Sequence, residues 1–261
     1  MLIRDNFQNS KQYNIQRCQL LIADIPYQIG KNAYGSNPAW YVDGDNKNGE
    51  SKLAGKSFFN NDNEFIISEF FDFCERLLRP EPKESGKAPC MIIFCAFEQQ
   101  FSLIEEAKKH GFNKYINLIF RKNFSAQVLK ANMRIVGNCE YGLIFYRDKL
   151  PKFNNHGKMV FNCIDWDKDT SSPKIHPTQK PVNLLMKLIQ IFTDEGDVVI
   201  DPCAGSGSTL IASHRLNRKW YGFEIIKKYY DDAMKWIENE KQQENMFHKK
   251  KTNKYIDQQI L

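Results

Sequence analysis

An acid, an isoleucine, a proline and an aromatic ring stand together in Asp24-Ile25-Pro26-Tyr27, directly after the apolar run 19–23. If that run is a strand of a parallel sheet, these residues reach the crevice outside the carboxyl ends of the strands, where ligands of open α/β sheets bind. A carboxylate there can accept from a substrate N–H, the proline stiffens the backbone, and Tyr27 offers a stacking face. Taken alone, the four residues fit an ordinary strand-to-loop turn equally well. A second stretch, 198–209, reads as a buried strand, a turn of small residues (Asp201, Pro202, Cys203, Ala204, Gly205, Ser206, Gly207) and the start of a helix. Small residues let the backbone approach a ligand closely, and the first helical turn offers unpaired N–H groups. The next apolar run, 220–223, ends in Glu224, and an acid at the end of a second strand is where a ribose is held through its hydroxyls. The glycines alone could make a tight turn without a ligand, but the placed acid favours a nucleoside site. The turn lacks the GK[ST] ending of a phosphate-binding loop. Cys203 has no His or Lys neighbour to make it a thiolate, so it reads as a small filler.

The elements that must position these residues alternate in type. Strands are expected at 19–23, 91–96, 115–120, 141–146, 198–200 and 220–223, and helices at 64–78, 98–110, 181–192, 208–216 and 227–243. This pattern predicts an α/β fold, a mostly parallel central sheet with helices on both faces, in one domain over 1–261. Three segments break it. Residues 28–63 are rich in Gly, Asn, Ser and Lys and read as a long mobile loop, 81–89 is a Pro and Gly connector, and 149–173 is polar and irregular.

No run approaches the length of a membrane span and the first residues lack the apolar core of a secretion signal, so a cytoplasmic protein without a membrane partner is expected. The seven cysteines are scattered without metal spacing; they read as reduced thiols, mostly buried, and no metal site is expected. The net charge of +6 says little, but residues 121–158 hold eight basic side chains (Arg121, Lys122, Lys130, Arg134, Arg147, Lys149, Lys152, Lys158) against Glu140 and Asp148. Such a stretch suits a phosphate backbone, although a charge run is more often a solvated face. The basic 248–251 segment reads as a disordered tail.

Asp24-Ile25-Pro26-Tyr27 resembles the (D/N/S)PP(Y/F) motif of DNA amino-methyltransferases, and 201–209 resembles their DPFxGSGTT cofactor motif. His176-Pro177-Thr178-Gln179-Lys180-Pro181 looks like their HPTQKP segment, and Cys139-Glu140-Tyr141-Gly142-Leu143-Ile144-Phe145-Tyr146 is similar to their HExILVFY strand. The matches run in order from about residue 3 to 236. A catalytic tetrapeptide near the N-terminus and a cofactor loop near the C-terminus is the permuted order of the β group, so the resemblance implies a circularly permuted, Rossmann-like methyltransferase fold. Ile25 departs from the usual proline, yet supplies the main-chain carbonyl the chemistry asks of that position.

The resemblance implies S-adenosylmethionine as cofactor, with S-adenosylhomocysteine as product, and double-stranded DNA as partner. It implies transfer to N6 of adenine in a flipped-out base, with Asp24, Ile25, Pro26 and Tyr27 catalytic. Asp201, Pro202, Cys203, Ala204, Gly205, Ser206, Gly207 and Glu224 would hold the cofactor, Thr178 and Lys180 would line its methionine end, and Asp5 would complete the adenosine pocket, unless Asp5 is only a capping acid. Tyr27 would stack on the extruded base. Recognition would fall to a DNA-contacting loop at 28–63 and a short segment at 149–174, and a homodimer is compatible with so small a recognition surface. A cognate restriction enzyme cannot be inferred from the sequence. The competing readings are methylation of N4 of cytosine, action on RNA or a protein amide, and an inactive nucleic-acid-binding relative.

Overall fold

The computed structural model describes residues 1–27, 65–123, 127–130, 135–167, 169–176 and 178–257. In chain order the elements are β1 Leu2–Ile3, a 3-10 turn Phe7–Gln12, β2 Leu20–Asp24, α1 Ile67–Leu77, β3 Cys90–Cys95, α2 Gln99–Lys109, β4 Lys114–Lys122, β5 Gln127–Lys130, β6 Ile135–Gly137, β7 Cys139–Tyr146 and β8 Cys163–Trp166. Then follow α3 Val182–Phe192, β9 Val198–Asp201, α4 Ser208–Arg215, β10 Lys219–Phe223 and α5 Lys227–Asp257. Each of the six expected strands and five expected helices forms, with ends shifted by a few residues, except that α5 runs well past 243.

Eight strands make one sheet in the order β1-β10-β9-β2-β3-β7-β4-β8. All pairings are parallel except the two made by β7, which runs against both β3 and β4. The reversal has a local cause: β4 and β7 are joined through the two-stranded β5–β6 ribbon rather than a crossover helix, and a short return gives antiparallel neighbours. The chain ends meet at one edge, where β1 pairs with β10 and the Glu224 amide donates to the Ile3 carbonyl at 3.0 Å. The permuted connectivity expected from the motif order is thereby realised, with β2 from the N-terminal part seated directly beside β9 from the C-terminal part.

Alternate residues of the strands build two cores. Leu20, Ile22, Ile92, Phe94, Phe120, Ile144 and Val199 face α3, α4 and α5, meeting Leu185, Ile189, Leu210, Ala233 and Ile237. Leu21, Ala23, Met91, Ile93, Leu143, Phe145 and Ile200 face α1 and α2, meeting Phe70, Phe71, Cys74, Leu103 and Ala107. The central strands β2, β3 and β9 are therefore apolar on both faces, as expected of strands covered twice.

Three expectations need correcting. The segment 149–173 is not wholly irregular: Cys163–Trp166 forms the edge strand β8, parallel to β4, too short to show periodicity. The basic stretch 121–158 is not one continuous phosphate-facing run, because several of its described side chains are taken up by partners within the fold. Lys122 is buried against Glu140, Arg121 pairs with Asp165 at 2.7 Å, Lys152 pairs with Asp194, and Arg147 lies 4.7 Å over the Phe112 ring. The 248–251 segment continues α5 instead of leaving it, consistent with the helix propensity of Lys, Glu and Gln. The 28–63 loop lies outside the described residues, as do Pro177 and the side chains of Lys130 and Arg134. No described helix is long and apolar enough to cross a membrane. All seven cysteines are free; Cys18, Cys74, Cys90 and Cys95 are buried and Cys163 alone is exposed.

Candidate active site

The tetrapeptide emerges at the carboxyl end of β2, where Asp24 lies level with Phe94 of β3. Ile25 is anchored rather than loose: its side chain is buried in the α1–α2 core, and its amide donates to the Phe94 carbonyl at 3.3 Å, a bond a proline could not make. The Pro26 carbonyl accepts from Gln99 Nε2 at 2.8 Å, while Gln99 Oε1 accepts from the Ala96 amide, so the start of α2 clamps the turn.

Around Asp24 the structure assembles charges of alternating sign. Lys180 Nζ lies 2.6 Å from Asp24 Oδ2 and 3.2 Å from Glu140 Oε2, and Lys122 Nζ pairs with Glu140 Oε1. The Tyr27 hydroxyl donates to Glu140 Oε2 at 3.1 Å. The Lys180 ammonium also sits 5.2 to 5.6 Å from the ring centres of Phe94, Tyr27 and Trp166. Asp24 Oδ1, in contrast, is buried without a hydrogen-bond partner among the described residues. Leaving a buried carboxylate oxygen unpaired is costly, so the observation identifies Oδ1 as an acceptor awaiting a donor.

The titration behaviour follows from burial and partners. Burial raises the pKa of Asp24, Lys180 opposes the rise and Glu140 adds to it, for a net increase. Burial also disfavours ionisation of Glu140, but Lys180 and Lys122 outweigh it and its pKa is lowered. For Lys180, burial is overcome by Asp24 and Glu140, so it is held as an ammonium. Burial, then Asp24 and Glu140, push the Tyr27 hydroxyl well above its usual value, and it stays protonated.

One strand away, the turn after β9 folds back on β10. Gly205 and Gly207 adopt left-handed φ values of +50° and +76°, which only glycine takes without strain. A Cβ on Gly207 would sit 3.3 Å from Ala233 Cβ, and one on Gly205 would sit 3.5 Å from His176 Nε2. Pro202, Ala204 and Ser206 are buried beneath the turn, and Asp201 Oδ1 accepts from the Cys203 amide at 2.9 Å. Glu224 accepts from the Gly205 amide at 2.8 Å and the Ile226 amide at 2.7 Å, tying the end of β10 to the turn. Burial is the main cause that pushes Asp201 and Glu224 up to about 7 each. Burial likewise raises the Cys203 thiol far above its usual value, so it is no nucleophile.

The 176–181 segment bridges the two halves. His176 packs edge-on to Tyr229 at 4.3 Å, and its Nδ1 lies 3.3 Å from the Thr178 amide and 3.1 Å from its hydroxyl. Burial, then Lys180 and Lys228, lower His176 to about 4, leaving it neutral. His176 thus lies between the glycine turn, on its Nε2 side, and Thr178, on its Nδ1 side, while Lys180 reaches the tetrapeptide carboxylate. Asp5 follows β1 at the same rim as Glu224, with its carboxylate accepting from the Asn6 amide, Asn9 and the Tyr13 hydroxyl; the cap of the 3-10 turn is Asn6, whose side chain accepts from the Gln8 amide, so Asp5 braces that turn without capping it. The Tyr13 and Asn9 hydrogen bonds hold its pKa below the usual range.

In the sequence, Glu140 stands out only within a strand pattern and, with Lys122, in the charge balance of 121–158; neither of them, nor Gln99, carries a site role there. The missing signal is the direction of β7. Because β7 is reversed, its first residues, not its last, lie at the carboxyl-end rim, which brings Glu140 beside Lys122 at the end of β4.

The family model for DNA methylases of the N6/N4 type matches residues 18–235. The chain belongs to this DNA methylase family. Among curated relatives, YhdJ of Escherichia coli (strain K12), named a DNA adenine methyltransferase, is 28% identical over 238 residues, 84% of this chain and 76% of YhdJ. YubD of the same organism is 29% identical over 157 residues, 60% of this chain, and the match spans only 63% of YubD. Among solved structures, the M1.HpyAVI–SAM complex superposes with a TM-score of 0.63 at 20% identity, covering 91% of this chain and 98% of that one. The PvuII DNA methyltransferase (cytosine-N4-specific) gives 0.64 at 14% identity, covering 89% and 84%. At such identities these structures establish the shared fold.

Proposed function

We propose that this methylase transfers a methyl group from S-adenosylmethionine to the exocyclic amine of a base flipped out of duplex DNA, with N6 of adenine as the target. The observation that carries the proposal is the unpartnered Asp24 Oδ1 at the end of β2, beside the glycine turn of β9. The residues fit the cofactor: two left-handed glycines keep the turn open to a close-lying ligand, and Asp201 and Glu224 end neighbouring strands. Both Glu224 oxygens accept backbone amides, yet each keeps a second lone pair for a ribose hydroxyl. Thr178, held by His176 Nδ1, is assigned to the methionine end of the cofactor on the resemblance of the 176–181 segment.

S-adenosylmethionine supplies an electrophilic methyl carbon on a positively charged sulfur. An exocyclic amine is a poor nucleophile because its lone pair is delocalised into the ring. Asp24 Oδ1 accepts one amine hydrogen and the Ile25 carbonyl the other, which favours a pyramidal nitrogen and stabilises the positive charge that develops on it. As the new N–C bond forms and the C–S bond breaks, one amine proton passes to Asp24 and on to solvent; the raised Asp24 pKa suits that transient acceptance. Tyr27 stacks on the extruded base, and the Gln99 clamp on Pro26 fixes the turn. The Asp at the head of the tetrapeptide and the likeness to YhdJ favour adenine, whereas the PvuII enzyme carries the same fold with cytosine N4 as its named target.

The test is incubation of the protein with methyl-labelled cofactor and unmethylated genomic DNA, followed by nucleoside analysis. N6-methyladenine is expected. N4-methylcytosine would correct the base, and cofactor binding without any incorporation into DNA would overturn the enzymatic reading.

A further inference from the structure

Glu140 is half-buried at the start of β7, and among the described residues its side chain contacts Lys122, the tetrapeptide's Tyr27 and the Asp24 counter-ion Lys180. Its Oε1 takes Lys122 Nζ, and its Oε2 receives both the Tyr27 hydroxyl at 3.1 Å and Lys180 Nζ at 3.2 Å. Burying two ion pairs is a poor way to stabilise a fold, since apolar residues of similar volume do as well or better. The fold also goes to some length to hold them. Gly142 leaves room for the Phe120 ring, whose atoms would lie 3.1 Å from an added Cβ, and Phe120 stacks on Phe94 at 4.7 Å. Phe94 and Trp166 then wall the Lys180 ammonium, and Lys122 Nζ lies 4.6 Å from the Trp166 ring centre.

We infer that Glu140 is a positioning residue, which through Lys180 fixes the Asp24 carboxylate with Oδ1 toward the incoming amine and through the Tyr27 hydroxyl holds the stacking ring at the same mouth. A carboxylate paired at one oxygen by a tethered ammonium cannot rotate to exchange its two oxygens. Lys180 alone would be a long, swinging chain; the second carboxylate anchors it. Lys122 neutralises that anchor, so Asp24, Lys180, Glu140 and Lys122 carry no net charge together. The consequence for rate rests on the proposed reaction, while the geometry does not.

The charge relations give the two anchors opposite effects. The groups facing Asp24 are Lys180, Glu140, Tyr27 and Cys95, with Asp201 and Cys203 across from β9 and His176 behind Lys180. Glu140 raises the Asp24 pKa and Lys180 lowers it. Glu140→Gln keeps the shape and an acceptor but removes the charge, so the Asp24 midpoint moves down. Lys180→Gln removes the counter-ion, so the midpoint moves up.

The test follows the Asp24 carboxyl by carbon NMR across pH in the intact protein and both variants. Alongside it run single-turnover methyl transfer to unmethylated DNA as a function of pH and calorimetric cofactor binding. For E140Q the expected result is a downward Asp24 midpoint, an acid limb of the rate profile displaced the same way, a rate lowered about 10- to 100-fold, and cofactor affinity within about twofold of wild type. For K180Q the midpoint and acid limb move upward. Unshifted midpoints in both variants, or a slowed E140Q whose pH profile is unchanged, would overturn the inference. If the wild-type protein transfers no methyl group, the proposed reaction fails while the NMR midpoints still decide the roles of Glu140 and Lys180. Should E140Q not fold, K180Q decides, and the absence of an upward shift refutes the coupling.

Discussion

Replacing Asp24 by alanine separates chemistry from binding and from fold, because each depends on different contacts of one side chain. The variant loses Oδ1, the acceptor assigned to the substrate amine, and an electrostatic contact to developing charge contributes about 3–4 kcal/mol, so transfer should fall by about 100- to 1,000-fold. The fold should suffer less. Removing one member of a buried ion pair costs about 3–5 kcal/mol when the other is left alone, but Lys180 retains Glu140 at 3.2 Å, and Asp24 itself keeps 25% of its side-chain exposure. A loss of about 1–2 kcal/mol is the reasoned figure, or a Tm lowered by roughly 2–8 °C for a domain of this size. Cofactor affinity should stay within about twofold, since the turn of β9 is braced by Glu224 and by the Asp201 carboxylate rather than by Asp24. Single-turnover incorporation of labelled methyl into DNA, calorimetry with the cofactor and a thermal melt measure the three quantities on one preparation. Transfer within about threefold of wild type would refute the role given to Asp24, and a collapse of cofactor binding would mean that the two halves of the site are not separable.

Asp201 and Glu224 titrate near 7, so both are ionised above that pH and progressively neutral below it. If they hold the cofactor as acceptors, as proposed, its affinity should weaken as pH falls from about 8 to about 6, and Glu224→Gln should both weaken binding and flatten that slope; a pH-independent affinity in the parent protein would contradict the assignment. For the ligand-free protein the sign is opposite. A folded pKa raised above the usual 3.8 and 4.5 means the native state binds these protons more tightly than the unfolded chain, so these two groups destabilise it increasingly as pH rises from about 4 to about 7. Gly222→Ala would place a Cβ 2.8 Å from Leu210 Cδ1 and 3.2 Å from Ala204 Cβ in a filled core. Overpacking of that kind costs about 1–3 kcal/mol; the melt should show a lowered Tm, with weaker cofactor binding because Ala204 belongs to the turn, and an unchanged Tm would show that Leu210 can repack.

The sequence by itself determined the α/β class, the six strands and five helices it was read for, and the two stretches to which the proposed site is assigned. These were legible because both are local signals: apolar runs of strand length covered on both faces, and turns whose small or acidic residues lie next to one another in the chain. It also marked Cys203 as a small filler, in keeping with the burial and neighbouring carboxylates that raise its thiol pKa. The direction of β7 was not legible, because an apolar run has the same pattern whichever way it runs and only its pairing with β3 and β4 sets its sense. That direction decides that Glu140 reaches the crevice, and with it the whole charge arrangement around Asp24. Side-chain destination was equally hidden. Thr178 and Lys180 are two residues apart, yet one turns to His176 beside the glycine turn and the other crosses to Asp24, because an extended segment sends neighbouring side chains wherever the packed surroundings offer a partner. The basic count over 121–158 was reduced for the same reason: charge counted along a chain becomes a surface only if the fold leaves it unpaired, and here Lys122, Lys152 and Arg121 each met a carboxylate.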